Sequence, residues 1–331
     1  MTISQDTVVL YHRGCNDGIA AAWAAHEVLG DSAIYLPYQY NDPLPDACKG
    51  RHVILVDLSF TMAQIHDHAY SGEVLSLMII DHHKSAIKQL QNIPNVSNYS
   101  DYLNFRDHSV EYKVWIFADT QHSGAVLSWA FFNNKPANEG FAWNKDIPLI
   151  LQYIEDYDLW KKKMDNTMAI NAWLVNGELS IERFASMLRT DGTPRLNIVE
   201  TGNALLTYDA KIERHVLREY VQFVEYNGQK VPLVNAPHHL RNSLGEKLGR
   251  KYPFVILYTE RDGKTIYSLR SVKGQGEDVS VIAEQFGGGG HAEAAAFSIP
   301  HTPLDLYKHQ ALLKKPSFLE RLKAAWVVLK G

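Results

Sequence analysis

Side chains able to hold a cation stand directly after three short apolar runs. Residues 7–11 (TVVLY) lead into His12, then Cys15 and Asp17; residues 52–57 (HVILVD) end on Asp57; residues 74–81 (VLSLMIID) lead into the triplet Asp81-His82-His83. Read as parallel strands, the runs bring His12, Asp17, Asp57, Asp81, His82 and His83 to one sheet edge, where open α/β sheets bind ligands. Carboxylates mixed with imidazoles suit Mn²⁺, and Zn²⁺ or Fe²⁺ less cleanly, and a carboxylate lying between two cations can bridge them. One Asp at a strand end usually caps the next helix, and one His is usually a satisfied polar residue. Three strand ends carrying ligand types point to metal.

Two further segments carry candidate chemistry. Asp156 and Asp158 lie in IEDYDLW among apolar neighbours, where an acid is expensive to bury without a partner or a cation; a helix end facing water is the equal alternative. Phe286 is followed by Gly287 to Gly290 and His291. The glycines free the backbone to turn amides onto an anion, and His291 can donate to a phosphate, although a glycine run is more often a flexible turn. No Lys-Ser/Thr follows, so this is no P-loop. Arg270, in SLRS just upstream, offers a bidentate phosphate contact. The remaining histidines earn no role: His66 and His68 sit two apart on an expected helix, and His238-His239 should open one. Lys161 to Lys163 read as a solvated charge run.

The elements that must position these groups follow from apolar patterning. Strands are expected at 7–11, 33–36, 52–57 and 74–81, with an Ala-rich helix at 18–29 and another near 61–70. Unbroken apolar strands alternating with helices indicate a parallel sheet covered on both faces. Residues 123–188 read as mostly helical, and 198–220 as a long connecting helix. Strands are then expected at 230–235, 254–259, 265–271 and 294–299, with helices at 240–250 and 279–286. The boundary falls between Arg189 and Asn197. The fold class is α/β: a parallel-sheet domain at 1–190, a linker and connecting helix at 191–225, and a smaller mixed α/β domain at 226–331. Residues 316–330 look like an amphipathic helix that docks internally or on a second copy.

Composition bounds the partners. The chain has 331 residues, 46% hydrophobic and 21% charged, which excludes a disordered or collagen-like chain. Lys and Arg number 33 against 37 acids, so no polybasic coat exists for long duplexes and a phosphate-bearing substrate needs a local site. No apolar run is long enough to span a membrane. The N-terminus lacks a basic region followed by a long apolar stretch, predicting no secretory leader. Two cysteines fit a reducing cytoplasm. Fifteen histidines are suggestive only as ligands and acid/base groups.

Taken together, these segments resemble the DHH family of metal-dependent phosphoesterases, which includes RecJ-like exonucleases, nano-RNases, cyclic dinucleotide phosphodiesterases and polyphosphate hydrolases. The name motif stands as Asp81-His82-His83, the first motif as residues 12–18 (HRGCNDG), the second as Asp57 and the fourth as Asp156. SLRS with DVSVIAEQFGGGGHAEAAAF resembles the DHH-associated C-terminal domain. The resemblance implies two metal sites: His12 and Asp57 in the first; Asp17, Asp57, His82 and Asp156 in the second, with Asp57 bridging. It implies that His83 faces the phosphate and that Asp81 orients both imidazoles. Arg270, Ser271, Gly288, Gly289, Gly290 and His291 would hold substrate, with the active site in the interdomain cleft. Two departures stand out. Cys15 replaces the usual first Asp, with a gap from His12 one residue shorter than in many members, and it could ligate as a thiolate, weaken the first site or merely pack. Ala296 replaces a glycine after the last motif.

The expected activity is hydrolysis of short oligonucleotides to 5′-mononucleotides by metal-activated water. Two Mn²⁺ are expected per chain, with Mg²⁺, Co²⁺ or Zn²⁺ as alternatives. Competing readings are a cyclic dinucleotide phosphodiesterase, an exopolyphosphatase-like hydrolase, or a nucleotide-binding protein impaired through Cys15. A homodimer is compatible with the sequence.

Overall fold

The computed structural model describes residues 5–39, 42–109, 113–134, 147–189 and 193–300. It divides into two compact units, Met1–Leu206 and Thr207–Gly331.

In the first unit five strands, β1 (Thr7–His12), β2 (Ala33–Tyr38), β3 (His52–Val56), β4 (Ser76–Asp81) and β5 (Val114–Ala118), form an all-parallel sheet in the order β2-β1-β3-β4-β5. The strands are apolar almost throughout because both faces are covered: Val9, Ile54, Met78 and Ile80 enter one core cluster, and their neighbours Val8, Val53, Leu77 and Ile79 enter the other. This alternation is the two-residue period of a strand. The helices are α1 (Asn16–Leu29), α2 (Met62–Ile65), α3 (Lys84–Gln89), α4 (Tyr99–His108), α5 (Gly124–Phe132), α6 (Leu149–Asp158), α7 (Thr167–Val175) and α8 (Ile181–Ser186). Helix α1 buries Ala20, Ala21, Ala22, Ala24 and Ala25, whose small side chains allow close packing. The order of strands reverses at β1, between β2 and β3, which opens a crevice at their carboxyl ends.

Helix α9 (Leu196–Glu219) spans the division between units. The second unit holds β6 (Val221–Tyr226), β7 (Gln229–Asn235), α10 (Arg241–Gly249), β8 (Val255–Arg261), β9 (Lys264–Arg270), α11 (Val279–Glu284), β10 (Gly289–His291) and β11 (Ala294–Pro300). Its mixed sheet runs β10-β11-β9-β8-β7-β6, with β7 and β8 parallel.

The α/β architecture agrees with the sequence reading, with differences of detail. Strands β5, β6 and β10 were not anticipated. The helix expected near 61–70 is α2, started by a Thr61/Gln64 capping box, followed by a π-helical turn at His66–Tyr70. The expected helix at 316–330 lies outside the described residues. Among the described residues no helix is long and apolar enough to cross a membrane.

Candidate metal centre

Three adjacent strands deliver the centre. His12 is the last residue of β1, Asp57 follows β3, and Asp81 ends β4 with His82 and His83 behind it. Asp57 Oδ1 lies 3.2 Å from His82 Nε2, and Asp57 Oδ2 lies 3.4 Å from His12 Nδ1. The same His82 nitrogen is 3.7 Å from Asp17 Oδ2 and 3.7 Å from Asp158 Oδ2. Three overlapping donor groups result, Asp57-Asp81-His82-His83, His12-Cys15-Asp57 and Asp17-His82-Asp158. Asp57 belongs to the first two and meets His82 of the third through Oδ1.

Each ligand type is fixed from outside the cluster. Asp17 opens α1, and its carboxylate accepts the amides of Gly124 at 2.6 Å and Ala125 at 3.0 Å, the first residues of α5. Gly124 is obligatory, since a Cβ there would lie 2.7 Å from Asp57 Cβ and 2.9 Å from Asp17 Oδ2. Gly18 is equally confined, because its Cβ would lie 2.4 Å from the His12 carbonyl oxygen. Asp57 has a left-handed backbone, φ 58°. Strained non-glycine residues of this kind concentrate at functional sites.

Asp81 is wholly buried and fully engaged. Its Oδ1 accepts from His83 Nδ1 at 2.7 Å and from the amides of His82 and His83, while Oδ2 accepts from Ser59 Oγ at 2.5 Å. It therefore orients the ring of His83 alone. The ring of His82 is oriented by Asp57, which corrects the expectation that Asp81 serves both imidazoles.

The electrostatics of the cluster suit a divalent cation. Burial, then the charges of Asp57 and Asp158, push the Asp17 carboxyl well up. Burial also raises Asp158, with Asp57 adding to the effect. Asp57 goes the other way: burial would raise it, but the imidazoles of His12 and His82 outweigh that and hold it low. His82 is raised well above the usual imidazole value, burial being overcome by Asp57, Asp158 and Asp17. The Cys15 thiol is pushed well up by burial and then by Asp57, Asp158 and Asp17, so without a cation it keeps its proton. Asp57 Oδ2 is buried and accepts no hydrogen bond from any described residue. A buried carboxylate oxygen without a well-aligned hydrogen bond, 3.4 Å from the His12 imidazole, fits a divalent cation, because a buried charge needs close partners.

Asp156 is not in this cluster. It is wholly buried, accepts the amides of Lys163 at 2.8 Å and Met164 at 3.1 Å, and accepts the Thr167 hydroxyl at 2.6 Å. Those donors turn it away from His82, and Asp158 takes the position expected of it. The lysine run is also less solvated than expected. Lys161 pairs with buried Glu155 at 2.8 Å, and Lys162 Nζ lies 3.4 Å from the Trp160 ring centroid. Glu155 further accepts from His122 Nδ1 and the Ser123 amide, tying α6 to the start of α5. Ser59, Gly124 and Glu155 were missed in the sequence. Only the Ser-Gly step before an apolar helix hinted at one of them.

In the second unit, Arg270 donates through Nε to Asn242 Oδ1 at 3.0 Å, and its stem lies where a Cβ on Gly245 would be 2.6 Å away. Ser271 Oγ donates to the Ala292 carbonyl, and His291 pairs with Ala294 across β10–β11. The glycine run does not form the expected cradle of unused amides. Gly287 and Gly288 donate to the carbonyls of Glu284 and Ala283, and Gly289 and Gly290 belong to β10. Close packing explains Gly288, whose Cβ would lie 2.1 Å from the Ala296 carbonyl oxygen.

Comparison with known proteins adds the following. The DHHA1 domain family matches residues 233–325. A protein of Acanthamoeba polyphaga mimivirus, described as uncharacterized, is 26% identical over 318 residues, which is 89% of this chain and 68% of that one. The oligoribonuclease NrnB of Bacillus subtilis (strain 168) is 25% identical over 264 residues, 76% of this chain and 60% of its own length. Among solved structures, the pGpG-specific phosphodiesterase PggH of Vibrio cholerae aligns over 93% of this chain and 97% of its own, with 12% identity and a TM-score of 0.46.

Proposed function

We propose that this chain, whose residues 233–325 match the DHHA1 domain family and which is similar to an oligoribonuclease, is a DHH-family phosphoesterase that hydrolyses short oligonucleotides to 5′-mononucleotides with Mn²⁺ as its natural cation. The observation that carries this reading is the sharing of Asp57, whose two oxygens face two different donor groups. His12, Cys15 and Asp57 would hold one cation; Asp17, His82, Asp158 and Asp57 would hold the other. Bound divalent cations supply Lewis acidity, polarising the phosphate and easing deprotonation of water.

The protein's own groups do the rest. Asp81 orients His83 through Nδ1, and Nε2 is the nitrogen that would meet a phosphate. Burial lowers the His83 imidazole, but Asp81 outweighs it and raises it overall, which favours the protonated form that would stabilise developing charge or protonate the leaving oxygen. Arg270, with Ser271 and His291, would hold the remainder of the substrate. A net charge of −4 favours a short substrate held locally over a long polymer held by its backbone. The similarity to a Bacillus oligoribonuclease supports the same class, and two free cysteines fit a reducing cytoplasm.

The test is hydrolysis of 5′-labelled pApA with Mn²⁺ by wild type and Asp57→Asn, beside a cyclic dinucleotide and polyphosphate. Wild type should release the 5′-mononucleotide from pApA fastest, and the variant should lose at least about a hundredfold. Preference for polyphosphate, or equal rates in both proteins, overturns the proposal.

A further inference from the structure

The segment that follows Asp158 is strained in a manner the cation cluster does not require. Trp160, Lys162 and Asn166 all have left-handed backbones, with φ of 56°, 48° and 71°. Helices commonly end on such a residue, but it is usually glycine, which meets no Cβ penalty. A bulky side chain there is a genuine outlier. The strain is nonetheless held firmly. Asp156 accepts the amides of Lys163 and Met164 and the hydroxyl of Thr167, and its carbonyl accepts the Lys162 amide at 3.0 Å. The acid that fails to join the cation cluster therefore builds this loop.

What the loop achieves is display of an aromatic ring. Trp160 is 45% exposed, although burial of an indole would stabilise the fold. Tyr157 meets it edge-on, with centroids 5.5 Å apart and planes at 67°. Lys162 covers one face of the indole, so the exposed remainder is surface open to a flat ring. An exposed cation–π pair alone is worth too little to explain the strain. Two Cα steps separate Trp160 from Asp158, at most about 7 Å, so the backbone that carries the ring is a near neighbour of the cluster.

We propose that Trp160, edged by Tyr157, is a stacking platform for a nucleobase of the substrate, with Lys162 placed for the adjoining phosphate. This rests on the nucleotide reading above and deepens it: the platform favours base-bearing substrates over polyphosphate and, being a π-surface, tolerates any base.

The experiment compares wild type, W160A and W160F on pApA and on its abasic counterpart, with melting curves and Mn²⁺ stoichiometry confirming fold and cation binding. For pApA, W160A should raise KM about 5- to 100-fold, the worth of one base stack, with far less change in kcat, and W160F should recover most of the loss. For the abasic compound the two KM values should agree within about twofold, since no stack exists to lose. An unchanged KM for pApA, or an equal rise for both compounds, overturns the platform. If wild type cleaves neither compound, the hydrolytic reading fails by itself. Calorimetric binding of the same two compounds then decides the platform: base-dependent weakening in W160A supports it, and equal binding overturns it.

Discussion

Asp17 reaches across 107 residues of sequence to take the Gly124 amide at 2.6 Å. One acid thus closes the start of α1 onto the start of α5 and presents a carboxylate oxygen to His82.

Gly124→Ala tests that junction. A methyl group would overlap Asp57 and Asp17 together, and both are backbone-anchored. Overpacking costs about 1–3 kcal/mol, and the displaced carboxylates should weaken Mn²⁺ binding about tenfold or more. Titration calorimetry of the folded variant reads this directly.

Asp156→Ala and Asp158→Ala should separate cleanly. The first leaves two part-buried amides and the buried Thr167 hydroxyl without their acceptor and should lower stability by about 3 kcal/mol. The second removes a carboxylate facing Asp57 and Asp17, so the cation-free melting temperature should hold or rise while Mn²⁺ stoichiometry falls. The reverse pattern would restore Asp156 as the ligand.

Cation affinity should climb with pH. Asp17, Asp158 and His82 all hold their protons above their ordinary ranges, and a cation must displace those protons. Binding therefore releases protons, and affinity falls as pH drops from neutrality toward the carboxylate range. Calorimetry in buffers of different ionisation enthalpy measures the number released.

Glu155 gives an acid-stability signature. Burial would raise its carboxyl, but His122 and Lys161 outweigh that and hold it below the ordinary value. A carboxyl depressed by folding stabilises fully above its unfolded pKa and loses that contribution as pH falls through the folded one. Wild type should exceed Glu155→Gln by about 1–3 kcal/mol near neutrality, and the two denaturation curves should converge in acid.

Cys15→Ser tests cation choice. Thiolates favour softer cations and hydroxyls do not, and the Cys15 thiol is reluctant to ionise for a hard ion. Mn²⁺ stoichiometry should survive the change while Zn²⁺ affinity drops about tenfold. Equal losses for both ions would count against a ligand role selective for Zn²⁺.

The strand-end ligands were legible because each apolar run stops on a polar residue, and a parallel sheet collects such ends at one edge. The choice between Asp156 and Asp158 was not. Two residues apart on a helix they point to nearly opposite sides, and the donors that claim Asp156 arrive from residues 163–167. Strand β5 hid in a five-residue run, VWIFA. The glycine run misled because its purpose is a long-range approach to Ala296 and Phe297, and nothing local distinguishes that from an anion loop. Gly124 carried no local mark of an acid docking from position 17.

The left-handed backbone of Asp57 constrains heredity as well as geometry. Asparagine and glycine adopt that conformation readily but bring no charge. Glutamate brings the charge but neither the same reach nor the same backbone ease. Aspartate alone satisfies both demands, so a lineage that keeps this chemistry has no intermediate residue through which position 57 can drift.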